Sequence, residues 1–147
     1  MNGPNPYNLQ RFVDAQDRVY NEVYSELRHG RKQSHWMWFV FPQIAGLGHS
    51  PIARTYAISS LEEAKAYLRH PILGPRLMEC TQLVLEVSER TIHEIFGSPD
   101  DMKFRSSMTL FARAAPENPL FENALKKYYG GVHDPLTLEL LERPAEP

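Results

Sequence analysis

The chain has 147 residues, the usual size of one domain, and a fold of that length buries about two-thirds of its unfolded surface. Its 16 Lys and Arg are interspersed with 18 Asp and Glu, which excludes the concentrated basic footprint of a duplex nucleic-acid binder. Cys80 is the single cysteine, so an intramolecular disulfide is excluded; with no secretory signal core and no run near the ~20 apolar residues that span a bilayer, the expected location is the cytoplasm, off the membrane.

Residues 1–6 read as a flexible N-terminus. Asn8 then predicts the cap of a first helix over 9–29, with Tyr7 and Phe12 placed as a hydrophobic staple. Leu9, Phe12, Val13, Gln16, Val19, Tyr20, Val23, Tyr24 and Leu27 follow one face until Gly30. Arg28, His29, Arg31 and Lys32 put positive charge at the C-terminal end of that helix, where its dipole favours it; phosphate binding is the other use of such a cluster.

The run Ser34 to Ile44 contains both tryptophans. From Trp36 through Phe41 it is apolar without a gap, unlike a one-striped surface helix or an alternating strand, so it should be buried on more than one side. It is either the centre of the core or the wall of a pocket, and 36–41 is either a short helix or an extended segment. His35, Trp36, Trp38 and Gln43 carry polar atoms that need partners once desolvated.

Downstream, helices are predicted at 51–58, 61–69, 75–89, 92–96, 99–114, 119–129 and 135–142. Ser50-Pro51, Ser98-Pro99, Asn118-Pro119 and Asp134-Pro135 each place a capping side chain before a proline suited to the first helical position. Ser60 with Glu63 and Thr91 with Glu94 have capping-box spacing, and Asp101 falls at the third position after Ser98. Leu73, Leu77, Cys80, Val84 and Val87 form one buried line, and Met102, Ser106, Leu110 and Ala114 a line that would face it. No hairpin signal, heptad series or internal repeat competes with this pattern, and 143–147 read as a loose tail. The expectation is an all-α, compact single-domain bundle of irregular, mostly short helices spanning 7–142.

Motifs for chemistry are sparse. Gly46-Leu47-Gly48 lacks the length and the Lys-Ser/Thr ending of a phosphate loop, and the six histidines and one cysteine contain no metal-ligand spacing, so neither a cofactor nor a metal is expected. The candidate ligand-binding residues are His35, Trp38, Gln43, Lys103, Arg105 and Ser106. Trp38 would stack on a ring, His35 or Gln43 would orient a base or ribose, and Lys103 or Arg105 would hold phosphate oxygens, with Ser106 near the same face. This requires segments 34–43 and 98–107 to share one cavity. The competing reading exposes Lys103, pairs Arg105 with Asp101 and satisfies a helix carbonyl with Ser106. Catalytic residues are unassigned: no nucleophile and base are fixed by spacing, and Glu62, Glu63, Asp100 and Asp101 read as first-turn residues. Cys80 reads as an inert core thiol.

The phrases Tyr7-Asn8-Leu9-Gln10-Arg11-Phe12, Lys32-Gln33-Ser34-His35-Trp36-Met37-Trp38-Phe39-Val40-Phe41-Pro42-Gln43, Leu73-Gly74-Pro75-Arg76-Leu77 and Asp101-Met102-Lys103-Phe104-Arg105-Ser106-Ser107-Met108-Thr109-Leu110-Phe111 resemble the bacterial domain of unknown function number 1810. The likeness runs from about Tyr7 to Leu141 and includes Tyr128-Tyr129-Gly130-Gly131 and Asp134-Pro135-Leu136-Thr137-Leu138. It implies a bacterial, all-helical single domain and no particular activity. The calpastatin label attached to some members does not suit a chain with nothing like a disordered inhibitor repeat. A more distant likeness to the helical NADAR family, at Pro71-Ile72-Leu73-Gly74, would imply chemistry on ADP-ribose or nucleotides.

Three functional expectations follow. The first is binding of a phosphorylated ribose or nucleotide-like small molecule in an aromatic and cationic pocket. The second is a non-enzymatic protein-interaction or structural module, with a filled core at 36–41 and a separate apolar surface patch. The third is an N-glycosidase acting on an ADP-ribose-like compound, which would need a carboxylate and an activated water.

Overall fold

Helix caps supply most of the boundaries in the computed structural model, which describes residues 7–143. The terminal segments 1–6 and 144–147 lie outside the described residues. Ten helices follow one another among the described residues: α1 (Gln10–Asp17), α2 (Tyr20–Arg28), α3 (Met37–Val40), α4 (Pro51–Thr55), α5 (Leu61–Arg69), α6 (Leu73–Glu86), α7 (Ile92–Phe96), α8 (Asp100–Ala114), α9 (Pro119–Tyr129) and α10 (Pro135–Glu142). Three of the four polar-proline starts cap as expected. Ser50, Asn118 and Asp134 accept from the amides of Ala53, Leu120 and Thr137. Thr91 and Glu94 complete both arms of a capping box, and Ser60 accepts from the Glu63 amide.

Two starts differ. Asn8 has φ 50° and makes no cap; Leu9 takes that position, and the Arg11 guanidinium grips the carbonyls of Tyr7 and Asn8. Ser98 precedes a cis bond to Pro99, and α8 starts at Asp100 with no side-chain cap. Its first-turn amides bond to backbone instead, Asp101 to the Gly97 carbonyl at 2.8 Å and Lys103 to that of Pro99 at 3.2 Å.

The expected first helix is two helices. Val19, at φ −133° and ψ 4°, leaves the helical region, so α1 packs on α3 while α2 packs on α6. The apolar stripe survives this break because a bend at one residue redirects the axis without removing any side chain from the core. Gln16 sits at the bend, buried, and donates to the Phe39 carbonyl at 2.7 Å and the Tyr67 hydroxyl at 3.0 Å. The open alternative at 36–41 is resolved as the single turn α3.

The bundle is built around α8, which touches α5, α7, α9 and α10. Phe104, Met108, Leu110 and Phe111 are buried, but Met102 is 50% exposed, which corrects its place on the facing line. Met102 lies in the first turn, before α8 passes beneath its neighbours. Trp36, Phe41, Phe96 and Phe104 fill the interior beside α8, with Phe41 edge-on to Phe104 and Phe96 stacked on it, both at 5.0 Å. The only β-type pairing among the described residues is a bridge between Ile44 and Ile58.

Buried ions are paired. Glu63 accepts from the amide and hydroxyl of Ser59 and lies 3.0 Å from Arg11, which also donates to the carbonyls of Thr55 and Ala57. Thus α1 is tied to the start of α5. Cys80 is buried and its thiol is pushed up to about 12 by burial, which leaves it un-ionised at neutral pH.

At the α5–α6 corner, a Cβ placed on Gly74 would lie 2.1 Å from the Leu68 carbonyl oxygen. Gly74→Ala therefore forces α6 off α5 and is expected to cost at least about 2 kcal/mol in urea unfolding. The same corner is capped by His70, whose Nδ1 accepts from the amides of Ile72 (3.1 Å) and Leu73 (3.3 Å). Burial lowers its pKa from the ordinary 6.5, and protonation would also remove the acceptor. The unfolded chain then binds the proton more readily, so stability is full above about 6.5 and is lost as the pH falls below it. Relative to His70→Asn, the wild-type melting temperature is expected to drop as the buffer is taken from pH 7 to about 5; a pH-independent difference would refute the cap.

Candidate functional site

The tryptophan-rich turn is organised from beneath by Glu26 of α2. Its Oε1 accepts from the amides of Gln33 (2.7 Å) and Ser34 (2.9 Å) and from Trp36 Nε1 (3.0 Å), and Oε2 accepts from Ser34 Oγ (2.6 Å). Burial by itself would raise the Glu26 pKa, but these hydrogen bonds outweigh it and hold the carboxyl below its usual range. Trp36 is thereby a core residue with a satisfied indole. Trp38, two positions on, is turned to another side and remains half-buried.

Two lysines and one carboxylate link this turn to α8. Lys32 Nζ stands 5.1 Å from the Trp36 ring centre, and Lys103 Nζ is the same distance from that of Trp38. Asp100 lies between them, with Oδ2 2.9 Å from Lys32 and Oδ1 3.6 Å from Lys103. Lys32 also donates to the Ser34 carbonyl at 2.6 Å, and its amide bonds to Ile95 at 2.7 Å. The Lys32 side chain is only 8% exposed. Lys32 and Lys103 thus face two carboxylates, Asp100 between them and Glu26 beneath the turn.

Segments 34–43 and 98–107 therefore meet, but the ground between them is filled by Phe41, Phe96 and Phe104. On the side away from 98–107, Trp38 and Gln43 line a crevice of about 10 Å³ with Ile44, Gly48, Ala53, Tyr56 and Ala57, room for about one water. Neither Trp38 Nε1 nor the Gln43 carboxamide makes a hydrogen bond with any described residue. His35 is exposed and likewise has no polar partner among them.

Arg105 and Ser106 belong to another corner. Arg105 Nε donates to the Val132 carbonyl (3.0 Å) and Nη2 to that of His133 (2.9 Å), with its guanidinium 5.9 Å above Tyr129. Ser106 Oγ bonds to the Met102 carbonyl (3.2 Å) and to Asp134 Oδ2 (3.0 Å), the carboxylate that caps α10. Asp101 pairs with His93 at 3.2 Å instead of Arg105. The structure thus brings Trp38, Gln43 and Lys103 to one neighbourhood and turns Arg105 and Ser106 toward the α9–α10 connection.

Sequence reasoning missed Glu26, Lys32, Asp100 and Tyr56 as parts of this region. Lys32 stood in a basic cluster and Asp100 in a first helical turn, both sufficient explanations locally. Nothing in the intervals signals that one carboxylate bridges the lysines. Among the described residues no group of His, Cys, Asp and Glu could hold a metal ion, and no helix is long and apolar enough to cross a membrane.

The fold is an all-helical bundle whose tryptophan-bearing turn meets the first turn of α8 through Asp100 and the two lysines. The chain belongs to the family described as protein of unknown function DUF1810, whose model matches residues 6–141. It is similar to the crystal structure of the conserved hypothetical protein Rv1873 from Mycobacterium tuberculosis, with 61% identity over 95% of this chain and 100% of that one and a TM-score of 0.94. No curated protein matches the chain.

Adjacent serines on α8 offer a paired test of polar satisfaction. Ser107 Oγ is buried with no hydrogen-bond partner, whereas Ser106 holds Asp134. Ser107→Ala is expected to leave stability unchanged or raise it by about 1 kcal/mol, and Ser106→Ala to lower it by about 1 kcal/mol. Chemical denaturation of the two variants measures the contrast; equal losses would contradict it.

Proposed function

We propose that this domain binds a small anionic molecule of the phosphorylated-ribose or nucleotide type at Trp38, Gln43 and Lys103. The observation that carries this is Lys103 standing over the half-buried Trp38, whose indole N–H, like the Gln43 carboxamide, has no hydrogen-bond partner among the described residues. Lys103 can meet a phosphate as a charge-assisted donor by leaving the Trp38 face. Trp38 offers a stacking surface, and the Gln43 carboxamide offers one donor edge and one acceptor edge. His35, exposed beside the same turn, is free to contact the outer part of the ligand. Arg105 and Ser106, whose polar groups are engaged by Val132, His133 and Asp134, serve this reading by holding α8 in place.

The interaction-module alternative has its own support in the filled core at 36–41 and in exposed Met102, Val132 and Leu136. These lie on the segments that Arg105 and Ser106 tie together. It predicts no response to small anions.

Titration with ADP-ribose followed by tryptophan fluorescence separates the two. A saturable change is expected in the wild type and absent in Trp38→Phe, since Trp36 is buried. Lys103→Met is expected to weaken binding by about tenfold, the effect of losing one charge-assisted contact worth about 1.4 kcal/mol. No change at millimolar ligand, or an undiminished change in Trp38→Phe, would refute the proposal.

A further inference from the structure

The crevice at Trp38 is too small for any ligand, yet its walls are of two kinds. Trp38 belongs to α3, and the half-buried Gln43 and the buried Ile44 follow it along the chain. Tyr56 is packed on Phe12 and Phe39 at 5.7 and 5.3 Å, and Arg11 holds the Thr55 and Ala57 carbonyls on either side of it. These walls are fixed to the core. The remaining two lining residues, Gly48 and Ala53, are among the smallest side chains available and lie on residues 46–54.

That stretch is a closed unit resting on the surface. Its base is pinned by Ala45 N to the Ile58 carbonyl and Ile58 N to the Gln43 carbonyl, both 2.8 Å. Ser50 caps α4, whose last residue Thr55 bonds back to Pro51 at 2.9 Å, and Gly48 approaches Ala53 so closely that an added Cβ would lie 2.6 Å from its methyl. No residue of α4 is buried. Its hold on the body is a partly buried Leu47, the approach of Gly46 to Leu140, and the Tyr56 and Ala57 amides, which donate to the Ile52 and Arg54 carbonyls at 3.2 and 3.4 Å. Short-range bonds keep its own shape while few contacts hold it down, the combination expected of a segment that opens locally as a body.

We infer that residues 46–54 are a lid over a heteroaromatic-base site, with Trp38 and Tyr56 as its aromatic walls and Gln43 as the group that reads the base edge. This rests on the binding reading above and narrows its ligand. A carboxamide pairs with the adjacent donor and acceptor of an adenine-like edge, and the rings receive its faces. The phosphate end then lies toward Lys103, which stands over the Trp38 ring. A ribose phosphate without a base would have no reason to enter beneath the lid.

Hydrogen exchange of the full chain tests the lid without any ligand. The Tyr56 amide, bonded from the fixed wall to the Ile52 carbonyl of the lid at 3.2 Å, is expected to exchange through a local opening insensitive to low denaturant, while the Ala45 and Ile58 amides exchange more slowly. Gly48→Ala is expected to increase acrylamide quenching of Trp38 by crowding Ala53, and adding Ala53→Gly to return it to the wild-type value. AMP at about ten times its Kd should speed Tyr56 exchange about tenfold or more, because a base that fits only beneath the raised lid holds it open. Ribose 5-phosphate should leave Tyr56 unchanged. Exchange of Tyr56 in step with Ile58, or no change in quenching for Gly48→Ala, overturns the lid. AMP that alters Trp38 fluorescence but not Tyr56 exchange, or ribose 5-phosphate that speeds Tyr56 equally, overturns the base site and leaves anion binding standing. Local opening with no fluorescence response to AMP, ribose 5-phosphate or ADP-ribose overturns the binding reading and the base site together.

Discussion

Desolvating the Trp36 indole is the constraint from which the rest of this architecture follows. A buried indole N–H left without an acceptor costs about 1–3 kcal/mol, and Trp36 is fully buried. Glu26 supplies the acceptor, and because its carboxylate also takes two amides and a hydroxyl of the same turn, it fixes the entry into α3 as a whole. The direction in which Trp38, Val40 and Phe41 leave that turn is therefore set by a residue on α2. A neutral side chain at position 26 would offer fewer acceptors to the same four donors.

Charge is arranged around the turn with a purpose distinct from packing. Asp100 in the first turn of α8 benefits from the positive helix end, and there it answers both lysines that cover the tryptophans. Lys103, the more exposed of the two, stands over Trp38, whose indole N–H has no hydrogen-bond partner among the described residues. Elsewhere Arg11 meets Glu63, Arg76 meets Asp17 at 2.8 Å, and Arg105 donates to two carbonyls.

The interior also carries polar groups that a purely apolar bundle would not need. Gln16 joins the α1–α2 bend to α3 and to Tyr67 of α5, while Thr109 donates to the Arg105 carbonyl and accepts from the Asp134 amide. Directional bonds of this kind fix the relative placement of short helices, whose contact areas alone would permit sliding. Ser107 is the exception, a buried hydroxyl without a partner among the described residues.

Much of the fold was legible because capping is local. Ser50, Thr91, Asn118 and Asp134 act on amides two or three residues away, so their effect can be read from spacing alone, as can the buried line from Leu73 to Val84. The bend at Val19 was hidden because an amphipathic stripe continues through it, and the misplacement of Met102 arose because burial depends on where neighbouring helices end. Of the candidate site, residue types alone suggested an aromatic ring, a carboxamide and a cation. Tertiary structure decided that Trp38, Gln43 and Lys103 share a neighbourhood, that Arg105 and Ser106 are engaged by the α9–α10 connection, and that Asp100 couples Lys32 to Lys103. Those are contacts between segments distant along the chain, set by the mutual packing of helices, and no local interval encodes them.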